Sequence, residues 1–384
     1  MGGNAFASPG PGEPALSTPR MSTETYLKLR DQCIRTLSAF YHEVSSCIEA
    51  PGKLDHGDID ILVSRPRREN ITGEAIKEAL GAVCAIPPHK FHHYAVPLPD
   101  GKGNQYAQVD VHECREGYLP WELVMQSYGD LWQIVGKFLR RAGLTATDKG
   151  LHVRIPEIED AGQKNLAMVY LSHDPSAILS FLGLDEAKWK EGFATADELY
   201  EWCCQGRFFG PESFERAVEN ANDRQRMAKR KMFSDFTKDW LVNHRARVWP
   251  DERRRWTRAQ VLHEALGYFG KHIYDEKMRD WRSEHEEKEL WERLAAEIPE
   301  EGDRLKAVRR ALRRWTRFEN GGPQLSDEAI LEEPLRKWVL ETSHADEENL
   351  SQYVRTSWEE AKRREREREK IAKTEREAKR PRLD

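Results

Sequence analysis

The chain has 384 residues, with 61 Lys+Arg against 66 Asp+Glu for a formal net charge of −5; this excludes a globally basic protein but not a local basic face. Charged residues make up 33%, yet 12 Trp, 11 Tyr and 13 Phe argue for a packed core rather than a disordered chain, and the length predicts two or three domains. No apolar run approaches the ~20 residues needed to span a bilayer, so no membrane partner is expected.

Residues 1–21 are rich in Gly, Pro, Ser and Ala and read as a disordered tail. They show no apolar signal core. Met1-Gly2 opens like a myristoylation site, but Phe6 stands where Ser or Thr is wanted. A helix is expected over about 22–45, because Tyr26, Leu29, Cys33, Leu37, Phe40, Tyr41 and Val44 recur at helical spacing. After the breaker Gly57, Asp58-Ile59-Asp60-Ile61-Leu62-Val63 alternates and then turns apolar, as a buried strand does. A short helix is expected over 73–84. His93-Tyr94-Ala95-Val96 and Ala107 to His112 read as two strands of a hairpin, with Pro99-Asp100-Gly101 and Gly103-Asn104 as turn residues between them. Helical pattern returns over 119–142 and stops at Gly143; from about 165 the chain reads almost entirely as helix. In 303–318, Leu305, Val308, Leu312 and Trp315 form one stripe, while Lys306, Arg309, Arg310, Arg313, Arg314 and Arg317 fill the rest. The last stretch, 359–384, holds 11 basic and 8 acidic residues and reads as a charged helix or tail. Six cysteines without a C-x-x-C pair fit a reducing compartment and no disulfide scaffold.

The acidic residues carry the chemistry. Side chains at i and i+2 of a strand share a face, so Asp58 and Asp60 project together while Ile59 and Ile61 point into the core. Asp110 sits between Val109 and Val111 on a second predicted strand. Three carboxylates on one sheet face repel one another unless a cation lies among them. Hard oxygen ligands suit Mg2+ or Mn2+, and two such ions can clamp the attacking and leaving oxygens of an in-line phosphoryl transfer. The isolated D-x-D is also the polar half of any alternating strand; here, however, the acids lead directly into an apolar Ile-Leu-Val run.

Gly57-Asp58-Ile59-Asp60-Ile61-Leu62-Val63, followed by Gln108-Val109-Asp110-Val111, resembles the polymerase-beta nucleotidyltransferase superfamily. Tyr128-Gly129-Asp130, the helix from Leu131 to Ala142 and the run Gly143 to Leu151 extend the resemblance to X-family DNA polymerases over roughly 40–155. The resemblance implies an α+β fold: a palm-like mixed sheet with helices, followed by a mainly helical region. It implies that Asp58, Asp60 and Asp110 hold two metal ions, with Asp110 nearest the attacking hydroxyl. It further implies that Tyr128 and Gly129 form the turn beside the sugar of an incoming NTP or dNTP, with Gly57 leading into the site. The superfamily places Gly-Ser about ten residues before the first Asp, at a helix N-terminus that grips the triphosphate. That pair is absent here. Ser45-Ser46 stand nearest, with Lys53 supplying charge.

The expected division is a tail at 1–21, a nucleotidyltransferase domain at 22–160, a helical domain at 161–358 and a charged tail at 359–384. Segment 223–258 carries 12 Lys/Arg against 5 Asp/Glu, including Arg224, Arg226, Lys229, Arg230, Lys231, Arg253, Arg254 and Arg255, interleaved with Trp240, Trp249 and Trp256. Together with 303–318 it points to nucleic acid as a partner, since Lys and Arg neutralise phosphate and aromatics stack on bases. Solvated helix faces above a Trp core would read the same way. Lys379-Arg380-Pro381-Arg382 resembles a short nuclear-import signal. His89, His92, His93 and His112 read as ordinary polar histidines, with His112 on the Asp110 face. The expected activity is metal-dependent transfer of a nucleoside monophosphate to an acceptor hydroxyl, with a nucleic-acid 3′ end foremost. The alternatives are a non-catalytic binding protein that retains the fold, and an enzyme that nucleotidylates a small molecule or a protein.

Overall fold

A computed structural model describes residues 3, 5–7, 15–86, 92–99, 104–215, 229–250, 255–319, 322–335, 337–342 and 347–378. The chain divides into two units, Met1–Lys271 and His272–Asp384. The division expected at 160 therefore falls inside the first unit.

The first unit opens with β1 (Met21–Ser22) and α1 (Thr23–Leu37). Ser22 caps α1 by accepting from the Thr25 amide, and Tyr26, Leu29, Cys33 and Leu37 form its buried stripe. The helix stops eight residues short of the expected 45. Tyr41 and Val44 instead belong to β2 (Tyr41–Ser46), which pairs antiparallel with β4 (Asp58–Pro66). Phe40 lies in the intervening turn. Apolar residues at these positions satisfy both periods, and strand pairing with β4 decides between them. Between β2 and β4 lies β3 (Asp55–His56), which pairs with β1.

After β4 come α2 (Gly73–Leu80), β5 (Cys84–Ile86), β6 (His92–Pro97) and β7 (Tyr106–Glu113). The expected hairpin is present: β6 and β7 pair antiparallel, with His93 opposite Asp110. Its turn residues 100–103 lie outside the described residues, as does His89. The five strands form one mixed sheet in the order β2-β4-β7-β6-β5. Within it β4 and β7 run parallel, Asp60 opposite Asp110 and Asp58 opposite Gln108. The alternation works as expected. Ile59, Ile61, Val63, Val109 and Val111 pack in one core with the α1 stripe and with Ile76 and Leu80 of α2. That leaves the acids on the opposite face of the sheet.

The helical pattern over 119–142 is two helices, α3 (Leu119–Gln126) and α4 (Leu131–Arg141). They are broken where Tyr128 and Gly129 both take positive φ, +61° and +62°. Next come β8 (Leu144–Thr147), β9 (Gly150–Arg154) and β10 (Met168–Ser172), an antiparallel sheet of order β10-β9-β8. The remainder of the described first unit is helical from Pro175 onward.

The second unit contains helices His272–Leu294, Gly302–Trp315 and Glu347–Ala378 and an antiparallel pair, Thr316–Glu319 with Gly322–Leu325. Strands at 168–172, 316–319 and 322–325 are thus exceptions to the expectation of helix almost throughout. Val308, Leu312 and Trp315 of the predicted stripe are buried with Leu290, Trp291, Trp338, Leu350 and Val354. The expected charged tail at 359 is continuous with the last helix, where Ala361 and Glu365 are buried. Among the described residues no helix is long and apolar enough to cross a membrane.

Candidate active site

Asp58 and Asp60 project from β4 and Asp110 from β7, and one carboxylate oxygen from each lies within 4.8 Å of the others. Adjacent parallel strands with Asp60 and Asp110 in register bring this about. The cost shows in the proton affinities. Burial raises the Asp60 pKa to about 7, helped by the negative charges of Asp58, Asp110 and Glu49 and opposed by Lys53. Burial also raises the Asp110 pKa, but His93 and Gln108 counteract it.

Those two partners hold Asp110 in place. His93 Nδ1 lies 2.7 Å from its Oδ1, and the Gln108 amide Nε2 donates to both carboxylate oxygens at 3.0 Å. In the sequence His93 reads as an ordinary polar histidine. The signal that marks it is its register opposite Asp110 in the hairpin. His112 does share the Asp110 face but turns to Glu122, with Nε2 2.7 Å from Oε2.

The described residues of the expected disordered tail, 3, 5–7 and 15–21, make packed and hydrogen-bonded contacts. Phe6 is buried, and the Ala5 amide donates to Gln108 Oε1 at 2.9 Å. Gly3 has φ +89°, and a Cβ there would lie 2.3 Å from the Gly57 carbonyl oxygen. Ser17 forms a bridge with Gln105, and Met21 pairs with His56. One apolar anchor and these bonds hold the described residues 3, 5–7 and 15–21 in place, where composition suggests no order. Gly3→Ala is expected to destabilise the protein by about 1–2 kcal/mol, from strained φ and the clash with Gly57, read as a lowered unfolding midpoint in denaturant.

The other expected nucleotide contacts fare differently. Ser45 and Ser46 form no helix N-terminus; they lie on β2 opposite Leu62 and Ile61, and Ser46 Oγ donates to the Asp60 carbonyl. Lys53 pairs with Glu49 at 2.6 Å. Gly57 is buried directly before β4. The Tyr128-Gly129 turn exists, but the Tyr128 ring is buried against Trp189 and Phe193, and its hydroxyl donates to the Trp189 carbonyl at 2.8 Å. Its side chain therefore serves packing.

The chain matches no family model, and no curated protein sequence matches it.

Among the described residues, many cations of the basic segments pair with acids. Arg230 meets Asp130 at 2.7 Å, Arg247 meets Glu201 at 2.6 Å, and Arg258 pairs with Glu159. Trp240 and Trp249 are buried, and Trp256 lies beneath the Arg207 guanidinium. Arg224, Arg226, Arg253 and Arg254 lie outside the described residues, as do Lys379 to Arg382. In the second unit Arg314 is buried between Glu333 and Glu365, and Arg309 covers Trp291. Arg304 and Arg310 are exposed.

Proposed function

We propose that the chain is a divalent-metal-dependent nucleotidyltransferase that moves a nucleoside monophosphate from an NTP or dNTP to an acceptor hydroxyl. The observation that carries this is the convergence of Asp58, Asp60 and Asp110 within 4.8 Å on two parallel strands. An all-oxygen donor set whose members repel one another fits Mg2+ or Mn2+. Asp58 and Asp60 would hold the ion that grips the triphosphate, and Asp110 with Asp60 the ion at the acceptor. When bound, these ions neutralise charge on the transferring phosphoryl and favour loss of the hydroxyl proton. The acceptor oxygen attacks the α-phosphorus, the bond to the β-phosphate oxygen breaks, and pyrophosphate leaves.

The protein's own part is orientation. His93 and Gln108 fix Asp110, and Gln108 also ties the segment around Ala5 to the site. Gln108→Leu is expected to weaken Mg2+ binding about tenfold, measured by calorimetry, because groups that orient a ligand contribute on that scale.

A nucleic-acid 3′ hydroxyl is the proposed acceptor, supported by the basic excess in 223–258 and by the exposed Arg304 and Arg310. The test is incorporation of labelled nucleotide into an oligonucleotide with Mg2+, alongside calorimetry of nucleotide binding. Incorporation that falls steeply with salt supports the polynucleotide acceptor. Transfer that ignores salt and oligonucleotide points to a small-molecule or protein acceptor. Absence of Mg2+-dependent nucleotide binding overturns the enzyme reading in favour of a non-catalytic binding protein.

A further inference from the structure

We propose that His112, Cys114 and Glu122, completed by Cys47, form a second metal site, for a tetrahedral divalent ion of the Zn2+ class. Ligating atoms of the first three all lie within 4.8 Å of one another. They come from three places in the chain. His112 is on β7, Cys114 follows its end, and Glu122 lies on α3. Glu122 is the hub: His112 Nε2 stands 2.7 Å from its Oε2, and the Cys114 sulfur lies within 4.8 Å of its carboxylate. Cys47, just past β2, packs with Cys114 in a small apolar cluster of Leu62, Leu119 and Leu123.

Two features favour an ion over a purely structural polar cluster. Glu122 is buried, and among the described residues no lysine or arginine pairs with its carboxyl. Among the described residues the cation paired with it is His112, which is charged only when protonated; a divalent ion would neutralise the buried carboxylate with the imidazole neutral. The donor types are also those zinc selects, thiolate and imidazole with one carboxylate, and differ from the all-oxygen set at Asp58, Asp60 and Asp110.

Four protein ligands make a closed site, and closed sites are structural. The ion would fasten the end of β2, the end of β7 and the start of α3 to one another. The residues after Cys47 already bond to the α3–α4 turn: the Ile48 amide donates to Ser127 Oγ at 3.0 Å, and the Tyr128 amide donates to the Ile48 carbonyl at 2.6 Å. His112 lies two residues beyond Asp110 on β7, so the same ion would steady the strand that presents the carboxylate.

The test is titration of the full chain with Co2+, read by thiolate-to-cobalt charge-transfer absorption, which an all-oxygen site cannot produce. The band is expected in the wild type and, unchanged, in the double variant Asp58→Ala/Asp60→Ala, which separates this site from the catalytic reading. It should vanish in the double variant Cys47→Ser/Cys114→Ser and weaken in Cys114→Ser, and the affinity should fall at least about tenfold in Cys47→Ser and His112→Ala. If Cys114→Ser fails to fold, Cys47→Ser and Glu122→Gln take its place. A folded wild type without a thiolate band, or a band of unchanged affinity in these variants, overturns the proposal.

Discussion

Alanine at Asp58, Asp60 or Asp110 is expected to lower Mg2+-dependent nucleotide transfer by at least about 1,000-fold, equivalent to about 4 kcal/mol of transition-state stabilisation. Each carboxylate would supply charge and ligand atoms to ions that act on the phosphoryl group itself, so its loss is felt mainly in the chemical step. At Asp60 the same change should not cost stability in the metal-free protein. Asp60 sits within reach of two like charges, and its ionised form is disfavoured; removing it relieves repulsion. Rate and thermal midpoint are therefore expected to part company: activity collapses while the metal-free midpoint holds or rises. Equal activity in wild type and Asp60→Ala would remove the carboxylates from the mechanism. A midpoint that falls by many degrees would make them structural instead.

The second large effect is on pH dependence. An ordinary aspartate titrates near ~3.9, whereas Asp60 in the folded protein titrates at about 7. Between these values the folded state holds a proton that the unfolded state has lost. Stability of the metal-free protein is therefore greatest below the ordinary value, falls as pH rises toward 7 and levels above it. Metal binding runs the other way, because the ion needs the carboxylate form. Mg2+ affinity should rise about tenfold per pH unit well below 7, about 50-fold from pH 5 to 7, and then flatten. Saturating Mg2+ should thus reverse the pH trend in thermal midpoint. Calorimetric titrations across pH 5 to 8, paired with melts, test both halves. An Mg2+ affinity that is flat in pH would mean that Asp60 is not a ligand.

How much of this could be read in advance depended on whether local pattern or long-range pairing controls the residue. Alternation told the two faces of Asp58–Val63 apart, because a strand has period two and the apolar half has to be buried. It also identified the β6–β7 pair and the stripe Val308, Leu312 and Trp315. It failed where two periods fit the same residues. Tyr41 and Val44 suit a helix face as well as a strand, and only their pairing with Pro66 and Val63 makes them a strand. Ser45 and Ser46 lie on the same strand through pairing with Leu62 and Ile61.

The sequence by itself determined the acidic residues, their common face and the alternation of the strands that carry them. Those are consequences of spacing along one strand, which no distant residue can change. Only the tertiary structure decided which groups act on them. His93 faces Asp110 because a hairpin brings it there, and Gln108 links Asp110 to Ala5 across 103 positions in the chain. His112, Cys114 and Glu122 meet because α3 folds back on β7. The basic segments lost much of their apparent readiness for phosphate once Arg230, Arg258 and Arg314 found acids distant in sequence. Charge composition counts the cations, but only folding decides which of them an internal carboxylate neutralises.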